Sequence, residues 1–581
     1  MAVRTHDAAP ASTSPVGDLG PPAPRAYTYR RVYASVAVLA LSLTALGALW
    51  FTNSGMALTP DSAVYASAAE NLIDGRGLTT PFVSEGSRYR PAEQVSFGQR
   101  VPLVYYPPLY AVAIAVPRSV GINPTDSVRI VNSVSLAALV GVIALALWWL
   151  ARPNVVALVA FSALAVLGPT AEPNPFLGNL HALGLASYLL SEALFIPLCL
   201  GALLAGARAA TAPGRRALAV AIGLVVLATL TRYIGVSTGV AAGIAIFVGA
   251  GDPRRRLRRA AAVAAAGPLA LVGWNLLNSL AWGAGSARGL GWHPDAINTR
   301  LMWDTMAGWF HLRFDVPYAA RVTTVILLVL IPVLVVLVPG AYRRICGEPL
   351  RPQELRGAIL VTLASFILVY PLALIASLVF FDASTLPDQR LLIPVQLCCY
   401  LLIATLIARA VSTRIRAHAD QLIWAALGIV ALALVATSFG DLSTDAAFIH
   451  RAARGQRHGA AHNPLRDVPT RAVVFTNNTS GLWQGTGHGS YLIPSKFVET
   501  IQRRNRHYVA DLQWIARYLS RHPGIVWIVL PVAPHPYDVH AEDYEKHTPL
   551  RVVARCSSGQ PIIAIPDTAL ARQATKWCPA P

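Results

Sequence analysis

The sequence predicts a polytopic α-helical membrane protein of about eleven spanning helices with a small α/β domain at its C-terminal end. Three observations predict it. Of 581 residues, 54% are hydrophobic and only 13% charged, too apolar for a soluble globular chain. Apolar runs of spanning length alternate with short basic segments. After Phe439 the pattern changes to short strand-like runs around one amphipathic helix.

In order, residues 1–31 are expected to be a disordered cytosolic tail, since the stretch before Tyr27 is rich in Pro, Ala and Ser and has no apolar core. The apolar run from Val32 to Phe51 is too long for the core of a cleaved signal and reads as a signal anchor. Further runs begin near Val128, Val155, Ala182, Ala217, Ile234, Ala260, Val322, Ala358, Leu391 and Leu422, giving a transmembrane domain over 32–439. The Ala217 and Ile234 runs are short and flank Thr231-Arg232-Tyr233, so they form either a hairpin or one long helix. As a hairpin, the arginines at 30–31, 152, 208–216, 254–259, 343–344 and 409–416 all fall on one side, which the positive-inside rule makes cytosolic. The apolar stretch from Leu109 to Val116 is too short to span and is expected on the outer leaflet.

This topology puts the N-terminus inside and the C-terminus outside. It makes residues 52–127, 283–318, 382–390 and the domain 440–581 extracytoplasmic, with strands expected at 472–476, 524–530, 550–554 and 561–565 and a helix at 507–520. The expected location is the cell membrane, with any chemistry on the outer face, where ATP and nucleotide sugars are not supplied. The net charge of +19 comes from arginines that orient helices, so nucleic acid is not an expected partner; membrane lipids are. Cys556 and Cys578 are the two cysteines expected outside, and a disulfide between them is expected.

Three polar features stand out against this apolar background. Residues 59–77 read TPDSAVYASAAENLIDGRG, an amphipathic helix expected to stop at Gly75, with Asp61 at its mouth and Tyr65 one turn later. Glu192 sits in the apolar run Ser191-Glu192-Ala193-Leu194-Phe195, where an acid is costly and by default functional. Asp388-Gln389-Arg390 opens the span that continues Leu391-Leu392-Ile393-Pro394, and an outer-face arginine is a natural reader of phosphate. Each has a plainer alternative: Asp61 as a helix N-cap, Glu192 as the partner of a buried Arg232, Arg390 as an interfacial anchor.

With Tyr65, Ala69, Leu72, Gly75 and Gly77 following the acid, and Tyr106-Pro107-Pro108-Leu109-Tyr110 later, the first external segment resembles that of the GT-C membrane glycosyltransferases. The branch is the one that includes protein O-mannosyltransferases and aminoarabinose transferases. The stretch around Arg390 is similar to the family's Arg-containing, Pro-terminated contact to a lipid-carrier phosphate, although Leu391 stands where the family commonly has an aromatic. The resemblance implies an inverting glycosyltransferase, with Asp61 as catalytic base and Arg390 as reader of the donor phosphate. Substrate contacts are implied for Tyr65, Tyr106, Glu192, Arg232 and Asp388. The implied partners are a polyprenyl-phosphate-linked sugar and an extracytoplasmic glycan, lipid or protein acceptor. No metal ligand is assigned, and a divalent cation is the one cofactor left open.

Other motifs point to less. Gly485-Thr486-Gly487-His488-Gly489 lacks the full nucleotide-loop spacing and reads as a turn, and His458 and His462 have helical metal spacing without the glutamate of a zincin. Asn477-Asn478-Thr479-Ser480 contains glycosylation sequons. The rival reading is a transporter or flippase with Glu192 and Arg232 along its path. A structural role, the tail organising other envelope enzymes, comes third.

Overall fold

The computed structural model describes residues 24–578, apart from 54, 85–88, 99, 152, 170–180, 213, 284–289, 295–298, 313–315, 339, 383–384, 414–418, 462–464, 470, 499–502, 531–537 and 557. The chain runs α1 (Pro24–Phe51), α2 (Pro60–Ile73), β1 (Thr79–Thr80), α3 (Pro91–Phe97), β2 (Val101–Pro102), α4 (Leu109–Ser119), α5 (Pro124–Leu150), α6 (Val155–Leu167), α7 (Ala182–Ala186), α8 (Glu192–Thr211), α9 (Arg215–Thr231), α10 (Val236–Val248) and α11 (Pro253–Trp282). It continues α12 (Thr299–Gly308), α13 (Tyr318–Leu337), α14 (Ala341–Cys346), α15 (Leu355–Phe380), α16 (Gln389–Ser412) and α17 (Ala419–Ala461).

Every one of the eleven apolar runs holds a helix. Among the described residues, eight helices are long and apolar enough to cross a membrane: α1, α5, α8, α11, α13, α15, α16 and α17. The protein is a multi-pass membrane protein. The expected eleven spans become eight plus three shorter helices, α6, α9 and α10, of 13, 17 and 13 residues. The Ala182 run is not one helix either, because it breaks between α7 and α8.

The α9–α10 question is answered by the backbone. Arg232 is extended (φ −147°, ψ 135°), and the amide of Ala250, just past α10, donates to the carbonyl of Ala210 near the end of α8 at 3.1 Å. The chain therefore reverses at Arg232. Gly235 permits the tight reversal, since a Cβ there would lie 2.6 Å from the backbone of α9.

This reversal gathers arginines at one end of the bundle. Arg259 donates to the carbonyls of Ala209 and Ala212 at 2.7 and 3.0 Å, Arg256 to that of Gly249 at 2.9 Å, and Arg356 to that of Trp149 at 3.1 Å, all capping helix C-termini whose carbonyls have no intrahelical partner. The N-termini of α8 and α16 and the C-terminus of α9 lie at the opposite end.

Two expected boundaries move. α1 begins at Pro24, so residues 24–31 are helical rather than tail, and residues 1–23 lie outside the described set. α17 continues unbroken past Phe439 to Ala461, because its Ala- and Arg-rich continuation has good helix propensity and only Gly440, Gly455 and Gly459 as weak points. α4 is a helix of 11 residues, as short as expected, but Tyr110, Ala111, Ile114 and Ala115 are buried in the core it shares with α2.

Beyond α17 the chain forms β3 (Val473–Thr476), α18 (Thr479–Thr486), β4 (Tyr491–Leu492), β5 (Phe497–Val498), β6 (Arg503–Arg504), α19 (Tyr508–Leu519), β7 (Gly524–Trp527), α20 (Ala541–His547), β8 (Arg551–Arg555), β9 (Pro561–Ala564) and α21 (Ala569–Trp577). The four expected strands and the helix are present within a residue or three of the expected bounds. They assemble in the order β4-β3-β7-β9-β8, with β4, β3 and β7 parallel and β9 antiparallel to both its neighbours. Alternation along β7 sends Ile525 and Trp527 into a core with α18 and α21, and Val526 and Ile528 into one with α19 and α20. Cys556 and Cys578 are joined by a disulfide, while Cys199, Cys346, Cys398 and Cys399 are buried free thiols. The glycine-rich segment is a helix end: Gly487 is the left-handed cap of α18 (φ +72°). His462 and the side chain of His458 lie outside the described set.

This domain is docked on the segment between α1 and α5. Arg90 holds Asp511 at 2.7 Å, Gln94 exchanges two hydrogen bonds with the backbone of Leu492, and Thr479 donates to the carbonyl of Val83. Gln484 donates to the carbonyl of Thr59 at 2.9 Å, directly before the helix that carries Asp61.

Candidate active site

Pro60 excludes Thr59 from helical geometry, and Thr59 is extended (φ −116°, ψ 171°). Its hydroxyl accepts from the amide of Ser62 at 3.3 Å while the Ser62 hydroxyl accepts from the amide of Thr59 at 2.8 Å. This reciprocal pair caps α2, so Asp61 is not the N-cap and its carboxylate is left for other work. Asp61 Oδ1 accepts from the Tyr106 hydroxyl at 2.6 Å, and Oδ2 lies 3.9 Å from Nη1 of Arg390. Tyr65 packs at 5.4 Å from the Tyr106 ring and edge-on to Tyr110 at 5.0 Å. Burial raises the phenols of Tyr65 and Tyr106 above their ordinary value, with Asp61 adding to the rise at both, so Tyr106 remains a donor.

Glu192 reaches the same place by a break in the chain. Between α7 and α8 the backbone leaves helical geometry, and its freed carbonyls are collected by side chains: Asn132 of α5 donates to Ala186 and Tyr188, both at 2.9 Å, and Ser62 of α2 donates to Leu189 at 3.0 Å. The Tyr110 hydroxyl donates to Asn132 in turn at 2.8 Å. Glu192 thus opens α8 rather than lying within a span, with its side chain 2% exposed. Its Oε1 is 2.5 Å from Nη1 of Arg232, at the α9–α10 reversal, and 3.9 Å from Nε of Arg390.

Arg390 is in the first turn of α16. The neighbouring Gln389 accepts from the Trp309 indole at 2.8 Å and donates to Gln396 at 2.6 Å, and the Tyr370 hydroxyl donates to the carbonyl of Leu391 at 2.6 Å. With the backbone pinned, Arg390 faces three carboxylates: Asp388 at 3.4 Å and Asp61 and Glu192 at 3.9 Å. Burial raises the Asp388 carboxyl above its ordinary value, opposed by Arg390.

All seven residues singled out in the sequence, Asp61, Tyr65, Tyr106, Glu192, Arg232, Asp388 and Arg390, come together at the end of the bundle opposite the arginine clusters. Asp61, Tyr65, Tyr106 and Arg232 line a cavity of 80 Å³ together with Ser191, Tyr233, Leu378, Asp382 and Leu391. Asp382 was missed; it accepts from the Tyr105 hydroxyl at 3.0 Å, and as a single acid in a loop it carries no spacing signal. Asn132 was missed too, although an amide inside an apolar run is the signal that would have found it. No group of three His, Cys, Asp or Glu among the described residues could hold a metal ion, and the site acids face arginines instead. The site does not fit a divalent cation.

Fold and site together define a multi-pass helical protein with a carboxylate–arginine cavity at one end of the bundle. No family model matches the chain, and no curated protein matches it. Among solved structures it is similar to ArnT from Cupriavidus metallidurans bound to undecaprenyl phosphate, at 12% identity over 94% of this chain and 99% of that one, with a TM-score of 0.47. It is similar to the arabinofuranosyltransferase AftD from Mycobacteria, at 13% identity over 93% of this chain and 40% of that one (TM-score 0.45). A third is the oligosaccharyltransferase AglB from Archaeoglobus fulgidus in complex with an inhibitory peptide and a dolichol-phosphate, at 9% identity over 86% and 70% of the two chains (TM-score 0.46). These neighbours are GT-C glycosyltransferases, the class that the sequence resembles.

Proposed function

We propose that the protein is an inverting glycosyltransferase that moves a sugar from a polyprenyl-phosphate donor to an extracytoplasmic acceptor. The observation that carries this reading is Asp61 lining the cavity with the Arg390 guanidinium 3.9 Å behind its carboxylate, the carboxylate held by Tyr106 and relieved of helix capping by Thr59. Asp61 takes the proton of the acceptor hydroxyl as that oxygen bonds to the anomeric carbon. The bond from the anomeric carbon to the phosphate oxygen breaks, and its electron pair leaves on the phosphate. Base and leaving group stand on opposite faces of the sugar, so Arg390 turns from Asp61 toward the phosphate as charge grows there. Glu192 and Arg232 neutralise each other and fix the floor of the cavity. The products are the glycosylated acceptor and the free polyprenyl phosphate.

The experiment is transfer by purified protein of labelled sugar from polyprenyl-phosphate mannose, arabinose, galactose or glucose to envelope acceptors, wild type against Asp61→Asn. Loss of the general base lowers transfer by about 10²-fold or more, with folding near normal. Asp74→Asn is the control, since Asp74 caps the far end of α2 and pairs with Arg76. Wild-type transfer by Asp61→Asn would defeat Asp61 as the base, and no transfer by the wild-type protein from any of these donors would bring the transporter reading forward.

A further inference from the structure

On the other side of α2 from Asp61 lies a much larger space. It is a cleft of 1010 Å³ between α2, the N-terminus of α5 and the C-terminal domain. That is at the upper end of the range of about 300–1,000 Å³ for small-molecule sites, so it has room for an oligomer rather than a single sugar ring. The reaction described above makes no use of it.

Its lining has three properties that select one kind of occupant. First, two tryptophans, Trp483 of α18 and Trp527 of β7, contribute to the wall. Trp527 is 5% exposed, and its indole N–H is buried without a hydrogen-bond partner among the described residues. A buried donor left unpaired is costly, and a ligand oxygen that reached it would recover that cost. Second, the charges cancel. The lining acids are Glu70 and Asp126, the lining bases Arg76 and Arg129. Arg129 is spent on Asp126, on Thr52 and on the carbonyl of Leu49, and Arg76 pairs with Asp74. No lining arginine is held in reserve for a phosphate or carboxylate. Third, the remaining polar lining includes the side-chain amides of Asn53, Asn71 and Gln484; Asn71 donates to Thr79 and Gln484 to Thr59, and their oxygens are acceptors for a hydroxyl.

Indole faces for C–H surfaces, amides and the Glu70 carboxylate for hydroxyls, and no arginine free for an anion among the described lining residues are the chemistry that recognises a neutral saccharide. We propose that this cleft binds a neutral oligosaccharide, the non-reacting portion of the acceptor, and that the C-terminal domain is present to build it. The inference rests on the glycosyl-transfer reading and narrows its acceptor to a glycan, free or carried on a lipid. Leu58 and Gln484 line the cleft at the very start of α2, and Gln484 is bonded to Thr59, so a chain leaving the cleft over this helix end arrives at Asp61.

Binding is measured apart from turnover, on the full chain in detergent, by calorimetry with neutral mannose, glucose, galactose and arabinose hexamers, their monosaccharides, and a neutral hydrophilic hexapeptide. At least one hexamer should bind at least about tenfold tighter than its monosaccharide, since an extended cleft gains from each added ring. Trp483→Ala should weaken hexamer binding at least about tenfold. Because Trp483 also packs against Phe82, Trp527→Phe is the second variant: it removes the indole N–H and keeps an aromatic ring, and should weaken binding several-fold while the protein, with a modestly lowered thermal midpoint, stays folded at the temperature of the titration. Asp61→Asn should bind hexamer as the wild type does while failing to transfer, which separates this inference from the catalytic one. A glycolipid bearing the hexamer that binds tighter than the free hexamer, still lost in Trp527→Phe, would place the saccharide on a lipid. No hexamer binding, hexapeptide binding of equal strength, or hexamer binding indifferent to both tryptophan variants would overturn the proposal.

Discussion

Arg390 is where the geometry makes the sharpest demand. Its guanidinium has carboxylates at 3.4, 3.9 and 3.9 Å, all beyond the distance of a good hydrogen bond, so it neutralises them without being tightly bound. Two unit charges about 4 Å apart interact by about 4 kcal/mol at an effective dielectric of about 20, which sets the ceiling on what Arg390 can give a leaving phosphate. Its removal should therefore cost about 2–4 kcal/mol of transition-state stabilisation, or about 30- to 1,000-fold in kcat/KM for the polyprenyl-phosphate sugar. Arg390→Ala also strips three carboxylates of their shared cation, so a stability loss would confuse the result. Arg390→Lys resolves it: the charge stays, the planar fork is lost, and transfer should recover only in part while the thermal midpoint stays near that of the wild type. The assay is initial-rate transfer across donor concentrations, with a melting curve on the same preparation. Wild-type kcat/KM in Arg390→Ala would return the residue to an interfacial anchor.

Three further outcomes are expected. Reporter fusions after Gly98, Asp295 and Pro531 should be extracytoplasmic and those after Pro213 and Arg256 cytosolic; a cytosolic reporter at Asp295 would contradict a site on the outer face. Replacing Cys556 and Cys578 by serine should cost about 3 kcal/mol if loop entropy governs, read as a lowered unfolding midpoint under non-reducing conditions, and two free thiols in the native protein would refute the bridge. Asn132→Leu removes the side-chain donor to the carbonyls of Ala186 and Tyr188 and the acceptor of the Tyr110 hydroxyl, so stability should fall by about 1–3 kcal/mol and transfer should fall with it as Glu192 shifts; an unchanged midpoint would show that the break holds itself.

Elements whose signal is local were legible in the sequence. The Pro60 step, the apolar spacing after it and Gly75 define α2, and the structure ends that helix at Ile73 with Gly75 at φ +73°. The strands of the tail could be read for the same reason. What was not legible depends on partners far away in the chain. Nothing in 182–211 announces that the run breaks, because the break is stabilised by Asn132 from α5 and Ser62 from α2. Glu192 was singled out by the cost of an acid in an apolar run, Asp61 and Arg390 by their places at helix mouths, and Tyr65, Tyr106 and Asp388 with the resemblance; none of these signals says anything of distance. The pairing of Glu192 with Arg232 was open in the sequence, since it depends on whether the chain turns at Arg232.

That turn also explains how six charged groups can share so small a space. Asp61, Glu192, Asp382 and Asp388 outnumber Arg232 and Arg390 by two, and the anionic donor of the proposed reaction adds to the excess. An arrangement in which both arginines were shared equally among the acids would have neither to offer the phosphate. The structure divides them unequally. Arg232, at the α9–α10 reversal, is committed to Glu192 at 2.5 Å, while Arg390, on a separately anchored helix, keeps only long contacts. Committing one arginine lowers the hold of Glu192 on the other, and this leaves Arg390 free to follow the charge when it moves to the phosphate. The break before α8 and the reversal after α9 are thus two parts of one device: the first delivers a buried acid, the second delivers the base that silences it, and the cation that remains is the one available for chemistry.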